Sequence, residues 1–278
     1  MSTLEVSNLF KRFGTFEALH DISLSVSDGE FVALVGASGC GKSTLLRIIG
    51  GLETRSKGKV TLNNQPVTGP GRERAMVFQD YSLYPWLSVI ENINFSQRLK
   101  TFARTQSRDD KHQAARRADL LLDLMGLSRV RSARPSALSG GMRQRVAIAR
   151  ALMAQPDFLL MDEPFGALDT QTREVMHELI LHVKETERSG ILFVTHDVEE
   201  AVYLADRVVV LAPNPGRIDS VWTISLPPRQ LSLKMAPEFL ALKAKITDRI
   251  RASSGMLADL SAIRALNDAK PPVLANSS

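Results

Sequence analysis

Phe31-Val32-Ala33-Leu34-Val35-Gly36-Ala37-Ser38-Gly39-Cys40-Gly41-Lys42-Ser43-Thr44-Leu45-Leu46-Arg47-Ile48-Ile49 places three kinds of local physics end to end. Phe31–Val35 is apolar without alternation, as a strand buried on both faces must be. Thr44–Ile49 has helical composition and stops at Gly50-Gly51, a C-terminal signal. Between them Gly36–Ser43 fits G-x-x-x-x-G-K-[ST], and strand before with helix after is the context that gives this motif meaning. The glycines let successive backbone N–H groups turn inward around phosphate oxygens, and the helix start adds partial positive charge. Lys42 then reaches the β- and γ-phosphates, and the Ser43 hydroxyl suits a Mg²⁺ ion. The expectation is an α/β chain that binds a nucleoside triphosphate.

Outward from this unit, Ile22, Leu24 and Val26 alternate with serines and lead through Asp28-Gly29 into the buried strand. Further strands are expected at Lys59–Leu62, Ala75–Phe78, Phe158–Met161 and Ile191–Thr195. Asp169 is placed to cap a helix with Val175, Leu179 and Val183 on one face, ending near Gly190. The stretch from about Ser88 to Leu152 is rich in Ala, Leu, Arg and Gln and reads as a helical subdomain inserted into the α/β core. Past Arg207–Leu211, prolines mark a loop-rich extension. Pro237-Glu238 opens a helix with Leu242, Ile246 and Ile250 on one side, and Pro271–Ser278 reads as a frayed tail.

Composition narrows the function classes. The chain has 278 residues, enough for one large domain with an appendage. No stretch approaches the roughly 20 apolar residues a membrane helix needs, and Met1–Phe10 has no signal-peptide pattern, so a cytoplasmic location is expected. One cysteine, Cys40, excludes an internal disulfide, and no Cys/His cluster has metal-ligand spacing. A net charge of +5 is spread rather than gathered, which argues against nucleic acid. The densest basic patch is Arg98, Lys100, Arg104, Arg108, Lys111, Arg116 and Arg117. It reads as a solvated helical face or, more sharply, as affinity for anionic lipid headgroups.

Two carboxylates complete the phosphate chemistry. Phe158-Leu159-Leu160-Met161 runs directly into Asp162-Glu163, so a buried strand delivers both acids to the site. Asp162 suits Mg²⁺, through water, and Glu163 suits the base that polarises the attacking water. Cys40 lies beside Lys42 at a helix N-terminus, where thiolate formation is favoured, although a small residue that fits the loop is the plainer reading.

Leu138-Ser139-Gly140-Gly141-Met142-Arg143-Gln144-Arg145, running into Val146–Leu152, resembles the signature motif of ABC ATPases. Met142 stands where many relatives have Gln; Ser139, Gly140 and Gly141 match. A serine and two glycines at a helix start form a second anion site. The resemblance covers roughly residues 3–230 and implies a P-loop NTPase of ABC type. Its mixed-sheet core would carry an N-terminal antiparallel β subdomain and the inserted helical subdomain at about 88–152, with 231–278 as a C-terminal helical extension and tail.

The resemblance also assigns roles. Gly36, Ala37, Ser38, Gly39, Cys40, Gly41, Lys42, Ser43 and Thr44 would hold ATP, with Phe13 stacked on adenine. Ser43, Asp162 and Gln79 would hold Mg²⁺, and Gln79 would sense the γ-phosphate. His196 would be the switch histidine that positions the water, and Ala167-Leu168-Asp169 the loop that communicates across a dimer. Ser139, Gly140 and Gly141 would grip ATP held by the opposite subunit, so the functional unit would be two such subunits around two ATP molecules. His20, His112, His177 and His182 have no comparable setting and read as surface or core residues.

Without a membrane segment, transport would need separate permease chains and, indirectly, a solute-binding protein, with the ATPase peripheral on the cytoplasmic face of the membrane. Tyr84-Pro85-Trp86-Leu87-Ser88-Val89 and Leu211-Ala212-Pro213-Asn214-Pro215-Gly216-Arg217-Ile218 resemble the nitrate, sulfonate and taurine importer ATPases. Tyr81, Tyr84 and Trp86 lie where such ATPases receive a helix of the membrane partner; a local hydrophobic cluster is the alternative. A DNA- or ribosome-acting relative would carry a long coiled-coil insertion or two cassettes, and neither is present. A module using ATP only as dimer glue would not need Glu163 and His196.

Overall fold

The first helix lies between two sheets, and the alternation of side chains in the strands explains why both of its sides are covered. The computed structural model describes residues 2–98 and 108–254. Lys100, Arg104, the side chains of Arg108 and Lys111, and the expected tail at Pro271–Ser278 lie outside the described residues.

Strands β1 (Thr3–Phe13), β2 (Phe16–Ser27), β4 (Lys57–Leu62) and β5 (Gln65–Pro66) form an antiparallel sheet in the order β2-β1-β4-β5. The larger sheet runs β10-β9-β3-β8-β7-β6, with β3 at Phe31–Gly36, β6 at Arg74–Val77, β7 at Phe158–Asp162, β8 at Gly190–Val194, β9 at Arg207–Ala212 and β10 at Arg217–Thr223. Five of its strands are parallel, and β10 is added antiparallel to β9. The sheet is therefore mixed, as expected.

Helix α1 (Lys42–Ile49) fills the space between the sheets. Leu45, Leu46, Ile48 and Ile49 pack with Leu4, Val6, Leu9, Ile22 and Val26 of the antiparallel sheet. They also meet Val32, Leu34, Leu160, Leu192 and Val194, which point to that face of the parallel sheet. The alternate residues Phe31, Ala33, Val35, Leu159, Met161, Ile191 and Phe193 point the other way, into a second core built with helices. Continuous apolar runs in β3, β7 and β8 thus reflect burial on both faces.

Between β6 and β7 every described element is helical: α2 (Val89–Ile93), a 3₁₀ turn (Asn94–Arg98), α3 (Arg108–Leu124), two more short 3₁₀ turns and α4 (Gly140–Met153). Ser88 and Glu91 close a capping box at the start of α2, with the Ser88 N–H donating to Glu91 Oε2 at 2.9 Å. The basic patch is partly neutralised: Arg98 pairs with Glu91, while Arg117 donates to Leu152 O and to Glu187.

After β7, Asp169 caps α5 (Thr170–Glu187), which ends where Arg188 turns left-handed at φ 53°. Its buried stripe differs from expectation. Met176, Leu179, Ile180 and Val183 face the core, whereas Val175 is 65% exposed. At about 100° per residue, an i, i+4, i+8 series drifts around the helix, and Val175 falls off the edge of the face that Val183 shares.

Helix α6 (Val198–Leu204) follows β8. Helix α7 (Pro237–Ser254) docks with Phe239 and Ile246 fully buried and Leu242 and Ile250 against the same core. Lys243 adds an ion pair to Glu199 at 2.6 Å, and Arg249 grips Asp219 with two hydrogen bonds of 2.5 and 2.8 Å. Among the described residues no helix is long and apolar enough to cross a membrane.

Phe239→Ala is expected to cost about 3–5 kcal/mol, as an aromatic deleted from a closed core does. Urea unfolding followed by circular dichroism should show one transition at a lower midpoint. An early α7 step that leaves the main transition unmoved would show that the helix is only an appendage.

Candidate active site

Leu34 of β3 and Asp162 of β7 both stand opposite Val194 of β8, on a single rung of the parallel sheet, and Val77 of β6 pairs with Met161 one rung earlier. The segments that follow these strands therefore leave the sheet along one edge, the edge where open α/β sheets place their ligands. Gly36–Thr44, Gln79, Asp162, Glu163 and His196 are brought to it from four separate stretches of sequence.

The loop after β3 needs its glycines for space. Gly36 has φ 152°, and a Cβ there would lie 2.4 Å from Leu211 O of β9. Gly41 has φ 94°, and a Cβ there would lie 2.5 Å from Leu19 Cδ2. Ser38 and Gly39 are exposed, whereas Cys40 is fully buried beneath them, packed on Gly36, which favours its reading as a small residue that fits the loop. The Lys42 ammonium donates to Gly36 O at 2.8 Å and Ala37 O at 3.1 Å. Helix α1 begins with no side-chain cap and no acid in its first turn, which carries Lys42, Ser43 and Thr44. Its first N–H groups and partial positive charge suit an anion.

Ser43 donates its hydroxyl to Asp162 Oδ1 at 2.8 Å. Asp162 is buried, and burial raises its carboxyl above the usual range. The Ser43 hydrogen bond opposes this, neighbouring Glu163 adds to it, and Arg47 and Lys42 offset part. A hydroxyl and an incompletely compensated carboxylate, both hard oxygen donors, fit a divalent cation that keeps other positions for water and phosphate oxygens. Among the described residues no group of three His, Cys, Asp or Glu forms an all-protein metal cage.

Glu163 leaves β7 with φ 45°, a left-handed conformation uncommon for its type. Its N–H still pairs with Val194 O at 2.9 Å. Its Oε2 accepts from Gln79 Nε2 at 3.2 Å and lies 3.3 Å from His196 Nδ1. Three strand ends thus converge on one carboxylate oxygen, with the His196 side chain 65% exposed beside it.

The serine–glycine corner lies on the helical part. Ser139 caps α4 by accepting from Met142 N at 3.2 Å. A Cβ on Gly140 would come 3.3 Å from Tyr81 Oη, and one on Gly141 3.2 Å from Leu168 Cδ2. The corner therefore touches the segment after Gln79 and the loop ending in Asp169, rather than the phosphate loop of its own chain. Asp169 accepts from Thr172 N and Oγ1, and these hydrogen bonds hold its carboxyl below the usual range.

Phe13 is 46% exposed at the end of β1, with Lys11 Nζ 4.5 Å from its ring centroid. Lys11 is itself pinned by Glu53 and Thr54 O. Sequence reasoning missed this lysine: its place two residues earlier on the strand puts it near Phe13, but only the pin from Glu53 aims it at the ring. It also missed Arg150, which donates to Tyr81 O and Ser82 O and lies against Tyr84. Both readings of the aromatic segment find support: Tyr84 packs on Phe95 and Trp86, yet Trp86 is 66% exposed. His177 is a core residue, and His20 pairs with Glu17 at the surface.

The family profile for ABC transporters matches residues 19–166. The nitrate import ATP-binding protein of a Synechocystis species is 46% identical over 259 residues, spanning 89% of this chain and 95% of that protein. The taurine import ATP-binding protein of Mesorhizobium japonicum is 45% identical over 239 residues, 84% of this chain and 90% of that one. Among solved structures, a dimeric bacterial ABC transporter cassette superposes with TM-score 0.72 at 31% identity, covering 80% of this chain and 99% of its own. The same cassette in a post-hydrolysis state with ADP and phosphate gives 0.69.

Asp162→Asn keeps an acceptor for Ser43 and removes a buried charge. Without nucleotide the variant is expected to melt a few degrees above the wild type at neutral pH. Because the folded carboxyl has a raised pKa, its cost is present above that pKa and relieved as pH falls through it, so the difference should shrink in acid. Thermal melts over a pH series check both points.

Proposed function

Because this chain belongs to the ABC transporter family, we propose that it powers an importer of a small solute such as nitrate, a sulfonate or taurine, working as a pair of subunits with two shared ATP molecules. It is an ATP-binding, ATP-hydrolysing subunit. The observation that carries the catalytic assignment is the convergence of Gln79 and His196 on Glu163 Oε2, beside the Ser43–Asp162 hydrogen bond.

Hydrolysis joins a water oxygen to the γ-phosphorus, breaks its bond to the β,γ-bridging oxygen and yields ADP and inorganic phosphate. Glu163 holds the water and draws its proton, with Gln79 and His196 fixing the carboxylate between them. Lys42 turns from the carbonyls of Gly36 and Ala37 to the β- and γ-phosphates, offsetting charge that builds on the departing group. Ser43, Asp162 and the Gln79 amide oxygen would hold Mg²⁺, which when bound neutralises phosphate charge. Phe13 offers adenine one ring face while Lys11 covers the other. Ser139, Gly140 and Gly141 close over the γ-phosphate held by the second subunit, and Asp169 meets that subunit nearby.

The permease partner docks at the Tyr81–Trp86 segment, where the exposed Trp86 is the anchor. This holds the chain against the cytoplasmic face of the membrane, and a solute-binding protein on the far side supplies the cargo.

Glu163→Gln should leave ATP binding in place and lower turnover by roughly 10²–10⁴-fold, the contribution of a general base. Size-exclusion chromatography with ATP should then show an accumulated dimer. Near-normal phosphate release would remove Glu163 from the catalytic role.

A further inference from the structure

One buried carboxylate outside the set above touches both α5 and the loop that carries His196. Glu200 of α6 has a side chain only 9% exposed. Its Oε2 accepts the Thr195 hydroxyl at 2.7 Å, and Thr195 Oγ1 in turn accepts from Asp197 N at 3.0 Å. The two residues flanking His196 are therefore both fixed through one carboxylate oxygen. The other oxygen, Oε1, faces α5: Arg173 Nε lies at 3.5 Å and His177 Nε2 at 3.6 Å.

Arg173 reaches further. Its Nη2 donates to Leu168 O at 3.2 Å, inside Ala167-Leu168-Asp169. A continuous path of polar contacts thus runs from Leu168 through Arg173, Glu200 and Thr195 to the backbone that carries His196, and from His196 to Glu163. His177 closes the side of this path. It packs edge-on against Phe165 at 4.9 Å, and neither of its ring nitrogens has a hydrogen-bond partner.

A lone carboxylate in such a place would be expensive, and an apolar side chain of like volume would serve packing as well. What the charge adds is direction. The planar arginine side chain reaches two elements at once, donating through Nη2 to the Leu168 carbonyl while its Nε lies 3.5 Å from Glu200 Oε1 as an ion pair without a hydrogen bond. A small movement of the Leu168 carbonyl is therefore passed to the Glu200 carboxylate, and the Thr195 hydroxyl, bound to the same carboxylate, passes it to the switch loop.

We propose that Arg173 and Glu200 are positioning residues that couple the Ala167-Leu168-Asp169 loop to His196, so that arrival of the second subunit at that loop sets the histidine for hydrolysis. This rests on the reading of His196 and of the Asp169 loop given above.

The test is steady-state ATPase kinetics on the full chain, at concentrations that saturate the dimer, for Glu200→Gln, Arg173→Met, their double variant, Thr195→Ser, Thr195→Val and His196→Ala. Glu200→Gln and Arg173→Met should each lower kcat on the order of 10-fold, as a misplaced catalytic group does. The KM for ATP should stay within about twofold, because nucleotide contacts are untouched. The double variant should be no slower than the worse single one, since both cut the same path. Thr195→Ser keeps the hydroxyl and should retain wild-type kcat, whereas Thr195→Val should fall like Glu200→Gln; this pair decides the matter if Glu200→Gln does not fold. Losses that multiply in the double variant would overturn the proposal. So would wild-type turnover in Glu200→Gln and Arg173→Met alongside an inactive His196→Ala. Wild-type turnover in His196→Ala would instead overturn the assignment of the histidine, and the proposal with it.

Discussion

Hydrogen bonding across the parallel sheet aligns Leu34, Val194 and Asp162 on one rung, and every feature of the site depends on that alignment. A parallel ladder fixes the relative height of strands far apart in sequence, and β3, β8 and β7 are each held on both sides. Slipping β7 by one residue would turn Leu159 and Met161 toward α1 and carry Asp162 away from Ser43, so both cores oppose the change. The 2.8 Å bond between Ser43 and Asp162, which joins positions 119 residues apart, is a product of this register. The convergence on Glu163 is another.

The site gathers features that a stability-driven sequence would avoid. A carboxyl is buried at Asp162, a left-handed backbone is held at Glu163, and the phosphate loop approaches β9 so closely that a methyl group would not fit at Gly36. These local costs are offset by the two hydrophobic layers around α1 and beneath α4, α5 and α6. The cores hold the strand ends rigid, and the strained residues need that rigidity to keep their geometry.

The helices do more than cover the sheet. Gly140 and Gly141 let the start of α4 lie close to Tyr81 and Leu168, so the serine–glycine corner, the segment after Gln79 and the Asp169 loop form one contiguous region. From there Arg173 leads back to Glu200 and the switch loop. Helix α7 adds its own hold on α6 through Phe239 packing and the Lys243–Glu199 pair, which makes the C-terminal extension part of the support for that loop.

Much of this was legible before any coordinates. The unalternating apolar runs of β3, β7 and β8 predicted strands buried on both faces, and the glycine pattern of residues 36–43 predicted an anion cradle, because both depend on short-range chemistry. The resemblance assigned Gln79, Ser139 and His196, which an isolated glutamine, serine or histidine could not have earned alone. Other features were out of reach. The exposure of Val175 depends on how α5 is rotated against the core, and the cover that Lys11 gives Phe13 depends on a pin from Glu53. The Arg173–Glu200–Thr195 path joins elements whose separation in sequence carries no local signal. Residue identities determined which strands, turns and phosphate contacts were possible; only the packed sheet decided which distant side chains would share a carboxylate oxygen, because that choice is made by register and burial.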